Sequence, residues 1–140
     1  MNKHSHDAGQ LRRVVFFSVS AFFSFGGWAV FANMQHGLSK KLSAGLTQGL
    51  LSLISTAILT SAMETVFGRL SPGVTRFVAT GLGPITATLF LMTVAHIVTG
   101  TPEIVATMLP SVVVGYTYSL IYAAGLTRRC RQSADAEIVE

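Results

Sequence analysis

Charge is missing from most of this chain, and where it is missing decides what the chain can fold into. No Asp, Glu, Lys or Arg occurs in residues 14–39, 42–63, 77–102 or 104–127. A helix needs about 20 apolar residues, rising 1.5 Å each, to cross roughly 30 Å of bilayer hydrocarbon. Backbone groups in lipid must bond within their own segment, which makes each window a helix. The reading is an all-α, polytopic membrane protein with four transmembrane helices packed as two helical hairpins. Composition agrees: of 140 residues 50% are hydrophobic and 11% charged, and the mean hydropathy is +0.55. The spans are expected at about 14–36, 44–64, 77–98 and 104–126, in one domain over 1–140 with a head (1–13) and a tail (127–140) outside the bilayer. That leaves no room for a catalytic domain or a nucleic-acid reader.

The basic residues sit at span ends and form no aromatic-interleaved patch, so no nucleic-acid partner is expected. Lys3, Arg12 and Arg13 precede the first span, Arg69 and Arg76 separate the second from the third, and Arg128, Arg129 and Arg131 follow the fourth. Lys40 and Lys41 alone fall on the other side. The positive-inside bias then predicts cytoplasmic termini and a cytoplasmic middle loop, in an inner membrane of bacterial type. Arg12-Arg13, the apolar run from Val14 and the small residue Ala32 imitate a signal peptide, but the run outlasts a usual signal core and three spans follow. The single cysteine, Cys130, excludes an internal disulfide and cysteine-rich metal or haem motifs.

The most patterned stretch is the second span, where Gln48, Ser52, Thr56, Thr60 and Glu64 recur at every fourth residue. At 100° per residue each step slips by about 40°, so the polar row is a spiral seam. Two readings fit it. One is a hydrophilic path, because intramembrane polar groups face a bundle interior or a wet cavity. The other is that the hydroxyls bond their own i−4 carbonyls or glue helices together. Glu64, at the inner boundary, is either half of an ion pair with Arg69, Arg76, Arg12 or Arg13, or a protonatable coupling group. At the opposite end Asn33, His36, His96 and Glu103, with Gln48 at similar depth, are expected to form a polar outer mouth. The histidines and Glu103 lie on separate elements without metal-ligand spacing, and His4-Ser5-His6-Asp7 is only a short tract, so no metal or cofactor is expected.

Pro84 and Pro110 each remove a donor and free a carbonyl, that of Thr80 and that of Ala106. They predict helix breaks, where unwound carbonyls can bind a solute. Gly26-Gly27 permits close packing or a bend. Gly45-x-x-x-Gly49 is a small-xxx-small surface, expected to hold a homo-oligomer or another membrane protein. Displacing the chain by 60 positions pairs His36 with His96 and Arg69 with Arg129, yet few other identities follow.

Val113-Val114-Gly115-Tyr116 resembles part of a potassium-channel selectivity filter, but no helix follows it to close a pore. Ala57-Ile58-Leu59 through Glu64, then Ser71-Pro72-Gly73-Val74-Thr75-Arg76, resembles the first helix and loop of the small multidrug resistance family. That resemblance implies a four-helix dimer exchanging protons for cations through a first-helix glutamate. Here the glutamate lies nearer its loop and on the second helix, so no role passes to Glu64. There is no nucleophile elbow, phosphate loop or zinc-protease helix, and an enzyme is not expected. The expectation is a translocation or binding component for a small solute or lipid. The alternative is a non-transporting accessory or assembly subunit of a larger membrane complex.

Overall fold

The computed structural model describes residues 3–139, with the side chains of 3–14, Phe17, Ala57, Ala134 and 136–139 outside that description. The His4-Ser5-His6-Asp7 tract and any pairing by Arg12 or Arg13 therefore lie outside the described residues. Four helices follow one another: α1 Lys3–Ala32, α2 Leu38–Arg69, α3 Val74–Val98 and α4 Ile104–Val139. No strand occurs among the described residues. Three stretches, Leu38–Arg69, Val74–Val98 and Ile104–Ser133, are long and apolar enough to cross a membrane, and α1 adds a shorter apolar stretch, Ser18–Ala32.

The helices overrun the charge-free windows. Charges end a membrane span without ending a helix, because outside the bilayer Lys, Arg and Glu are good helix formers. Thus α2 takes in Lys40 and Lys41 at its start and Arg69 in its last turn, and α4 runs through Arg128, Arg129 and Arg131. At about 1.5 Å per residue the 32 residues of α2 measure roughly 48 Å, well beyond the hydrocarbon thickness.

Short connections reverse the chain, so residues 33–37 and 99–103 lie at one end, called here the two-loop end. The Lys40 ammonium donates to the Gly100 carbonyl there at 3.4 Å. Gly100 has φ +66°, a left-handed conformation that glycine tolerates and side chains resist. Residues 70–73 and the end of α4 occupy the opposite, tail end, where an Arg76 guanidinium nitrogen donates to Cys130 Sγ at 3.5 Å. The same guanidinium lies over the Phe67 ring, 4.0 Å from its centroid.

Glycines set the closest packing. A Cβ on Gly26 would stand 2.9 Å from the Gly45 carbonyl oxygen and 3.3 Å from Gly49 Cα, so α1 and α2 touch backbone to backbone. Close packing is therefore the role of Gly26, whereas Gly27 faces open space. This corrects the expectation for Gly45 and Gly49: α1 already covers that surface, with Val30 and Phe22 against it, and an external partner has no access to it. On the other side a Cβ on Gly115 would meet Ile85 Cδ1 at 2.6 Å, which brings α4 against α3.

Neither proline breaks its helix. Pro84 and Pro110 lie inside the continuous α3 and α4, which corrects the expected unwound segments. At Pro110 the carbonyl freed on Ala106 is taken by the Trp28 indole N–H at 2.8 Å, so the lost backbone bond is replaced from α1. The interior is unusually polar. Gln48, Asn33, His96, Thr80, Thr107 and Ser119 are fully buried, while Phe16, Phe23, Phe90, Leu91 and Ile121 point outward. An apolar exterior around polar contacts suits helices whose surroundings are lipid.

Candidate functional site

The seam of α2 is directed at α4. Gln48 Nε2 donates to Ser111 Oγ at 2.6 Å, Thr60 and Tyr118 share a hydrogen bond of 2.8 Å, and the Tyr122 hydroxyl donates to Glu64 Oε1 at 2.6 Å. From Gln48 to Thr60 the seam advances 12 residues, whereas its partners on α4, Ser111 and Tyr118, are 7 apart. At 1.5 Å per residue that is about 18 Å against about 10 Å, an offset that the long Gln48 and Tyr118 side chains bridge. A cavity of about 630 Å³ adjoins these helices. Its walls come mainly from α2, α3 and α4, with Phe25 the contribution of α1. Leu59, Ile85, Leu89 and Met92 make it apolar, and Ser52, Thr56 and Ser111 set hydroxyls into that surface.

Of the seam residues, Ser52, Thr56 and Thr60 line the cavity and Gln48 and Glu64 lie beyond its ends. Thr56 donates to the Ser52 carbonyl at 2.7 Å, the local i−4 bond that the plainer reading of the seam anticipates. Ser52 Oγ is buried and has no hydrogen-bond partner among the described residues. The local i−4 bond is thus found at Thr56, while Ser52 and Thr60 share the cavity wall with it. Among the described residues the partner of Glu64 is the Tyr122 phenol, and Arg76 is engaged by Phe67 and Cys130; a pairing with Arg12 or Arg13 lies outside the described residues. Among the described residues Glu103 Oε1 meets His36 Nε2, at 3.3 Å.

The expected outer mouth also differs from the arrangement found. Its residues lie at the two-loop end in two separate hydrogen-bonded units. In the first, Asn33 is wholly buried and joins α1 to α4: its amide nitrogen donates to the Ala29 carbonyl and to Thr107 Oγ1, both at 2.8 Å, and its oxygen accepts the Glu103 N–H at 3.0 Å. That last bond satisfies one of the donors left open where a helix begins, so the residue just after α1 caps α4. His36 and Glu103 close this unit on the outside.

In the second unit His96, also fully buried, bridges Thr101 and Gln48. Its Nδ1 lies 2.8 Å from Thr101 Oγ1 and its Nε2 2.6 Å from Gln48 Oε1. Because a carboxamide oxygen only accepts, His96 Nε2 carries the proton, and the Thr101 hydroxyl donates to Nδ1. The bonds therefore run one way, from Thr101 through His96 and Gln48 to Ser111 at the cavity wall. Asn33, Gln48, His96 and Thr101 are thus buried and satisfied within their units, while Glu103 stays exposed beside a partly exposed His36.

No protein-family model matches the chain, and no curated protein or solved structure matches it. The site is therefore read from its own chemistry. Thr101, Ser111, Trp28, Tyr118 and Tyr122 belong to it although the sequence did not single them out as site residues. For Tyr118 and Tyr122 a signal existed in their i, i+4 spacing, which matches Thr60 and Glu64 on the parallel helix and stacks the two rings 5.7 Å apart. No group of three or more His, Cys, Asp or Glu side chains that would hold a metal occurs among the described residues.

Proposed function

We propose that this chain is a small multi-pass membrane protein that binds a small, largely apolar solute or lipid between α2, α3 and α4 and passes it along the α2 seam. The cavity carries this reading. Its volume, about 630 Å³, falls within the roughly 300–1,000 Å³ of small-molecule sites, and its mixture of apolar wall and a few hydroxyls is the usual lining of such sites. Gln48 with Ser111 bounds it toward the two-loop end, and Thr60 with Tyr118 and Glu64 with Tyr122 bound it toward the tail. Its exposed lining residues, Thr56, Val114 and Tyr118, lie midway along their helices and face hydrocarbon, so a solute enters sideways from the lipid.

In this reading α1 is a fourth crossing, and both termini and the 70–73 connection are cytoplasmic, in an inner membrane. Cys130 tests the orientation, being exposed and the only thiol in the chain. A membrane-impermeant maleimide is expected to label it only after cells are opened, and labelling of intact cells would reverse the topology.

Native mass spectrometry of protein extracted in mild detergent tests the binding. The wild-type chain is expected to carry a small organic molecule released on denaturation, and Thr56→Trp or Thr88→Trp, which fill the cavity, should lose it. Equal small-molecule content in wild type and filled variants would end the binding reading. Stoichiometric recovery with a second polypeptide and no small molecule would favour the accessory-subunit alternative.

A further inference from the structure

The cavity is not uniformly apolar, and the placement of its two most buried hydroxyls selects a ligand. Ser52 and Ser111 are 5% and 8% exposed and both line it. Ser111 Oγ accepts a hydrogen from Gln48, the last bond of the directed chain from Thr101, so its own proton is left over. Among the described residues Ser111 makes no second hydrogen bond, and Ser52 Oγ has no partner. A buried hydroxyl without a partner is costly, and a ligand that supplies an acceptor relieves that cost. None of the residues lining the cavity is charged or is a histidine. An ionised ligand would enter low-dielectric surroundings with no counter-charge, which excludes carboxylates and ammonium ions as good occupants.

Depth separates two sources of such an acceptor. Ser52 stands at the middle of the charge-free run 42–63, and Ser111 between four and five residues, or roughly 7 Å, from the middle of 104–127. The ester carbonyls of bilayer lipids sit at the edges of a hydrocarbon core about 30 Å thick, too far out to reach this depth while the headgroup stays in water. We propose that Ser52 and Ser111 form the polar pole of a binding site for a free, uncharged apolar solute carrying a carbonyl oxygen of the ester, ketone or amide kind. This rests on the binding reading above and narrows it to a class of ligand.

The test uses the full chain in lipid nanodiscs and a matched series of medium-chain alkyl diazirine photoprobes ending in a methyl ester, a plain methyl group, a hydroxyl or a carboxylate. The ester probe is expected to label residues of the cavity wall saturably, with apparent affinity roughly tenfold above the alkane, as one or two well-placed hydrogen bonds allow. Ser52→Ala breaks no hydrogen bond in the protein and should weaken the ester about threefold to tenfold while leaving the alkane unchanged. Ser111→Ala should act in the same direction, with the alkane again reporting that the cavity is intact. Saturable labelling in which ester and alkane bind equally, or in which the serine variants weaken both alike, overturns the polar pole and leaves the binding reading standing. Preference for the hydroxyl probe overturns the carbonyl class, because it would mean that Ser111 donates to Gln48 and offers lone pairs to the cavity. Preference for the carboxylate overturns the exclusion of charge. Absence of saturable labelling by every probe overturns both proposals together.

Discussion

Gln48→Leu is expected to lower the stability of the protein by about 2–3 kcal/mol, although Leu is close to Gln in size and more apolar. The side chain is fully buried and bonds His96 with its oxygen and Ser111 with its nitrogen, so its removal leaves two interior groups without partners. Each orphaned group costs about 1–3 kcal/mol in water-soluble proteins, and single hydrogen bonds between membrane helices average about 0.6 kcal/mol, which bounds the estimate from either side. His96→Leu should cost a similar amount, by stranding Gln48 Oε1 and the Thr101 hydroxyl. The decisive measurement is the double variant. With both partners apolar, the loss should be clearly smaller than the sum of the single losses, because much of each is the penalty of the partner left behind. Unfolding midpoints in denaturant at fixed detergent give all three values. Strict additivity would mean that the chain from Thr101 to Ser111 does not act as a unit.

The second large effect divides two adjacent glycines. Gly26→Ala places a methyl group 2.9 Å from the carbonyl oxygen of Gly45, where the obstacle is backbone and cannot swing aside. Overpacking of this kind costs about 1–3 kcal/mol, and Gly26→Val should cost more. Gly27→Ala meets nothing within 4 Å. Alanine is favoured over glycine in a helix by about 0.8–1.0 kcal/mol, so that variant should hold or raise the stability. Thermal midpoints from fluorescence-detected size exclusion suffice to compare them. Equal loss in both variants would refute the close contact of α1 with α2.

What the sequence discloses about this molecule follows from what each signal measures. Charge-free windows report where a chain avoids charge, so they located the long apolar helices but not their ends: α2 begins at Leu38, before Lys40, and α4 continues to Val139. The four-residue period of the seam was legible because it needs only one helix. Its partners were not, because Ser111, Tyr118 and Tyr122 become relevant only once α4 lies parallel to α2, and no local pattern states that register. Gly45-x-x-x-Gly49 was read correctly as a contact surface and wrongly as an external one. A small-residue stripe says that a backbone comes close without saying whose. The prolines were misread for a related reason: the sequence shows the carbonyl that Pro110 frees but not the Trp28 indole that claims it across 78 residues. Glu64 was matched with arginines by sign of charge; among the described residues its partner is a phenol, which only the register of α4 against α2 could supply.

Asn33 carries a consequence for the order in which the molecule is made. The first backbone donors of α4 need an acceptor, and the Glu103 N–H finds one on a residue synthesised seventy positions earlier. Trp28 waits in the same way for the Ala106 carbonyl, which Pro110 leaves without an intrahelical donor. Until the last helix arrives, the Trp28 indole lacks the Ala106 carbonyl and Asn33 keeps only its bond to the Ala29 carbonyl. The two hairpins are unequal partners in assembly: the first is a receptor with vacancies, the second fills them. Two halves severed within 70–73 and produced separately would each carry polar groups meant for the other, and the first half would remain unfinished until the second reached it in the same membrane.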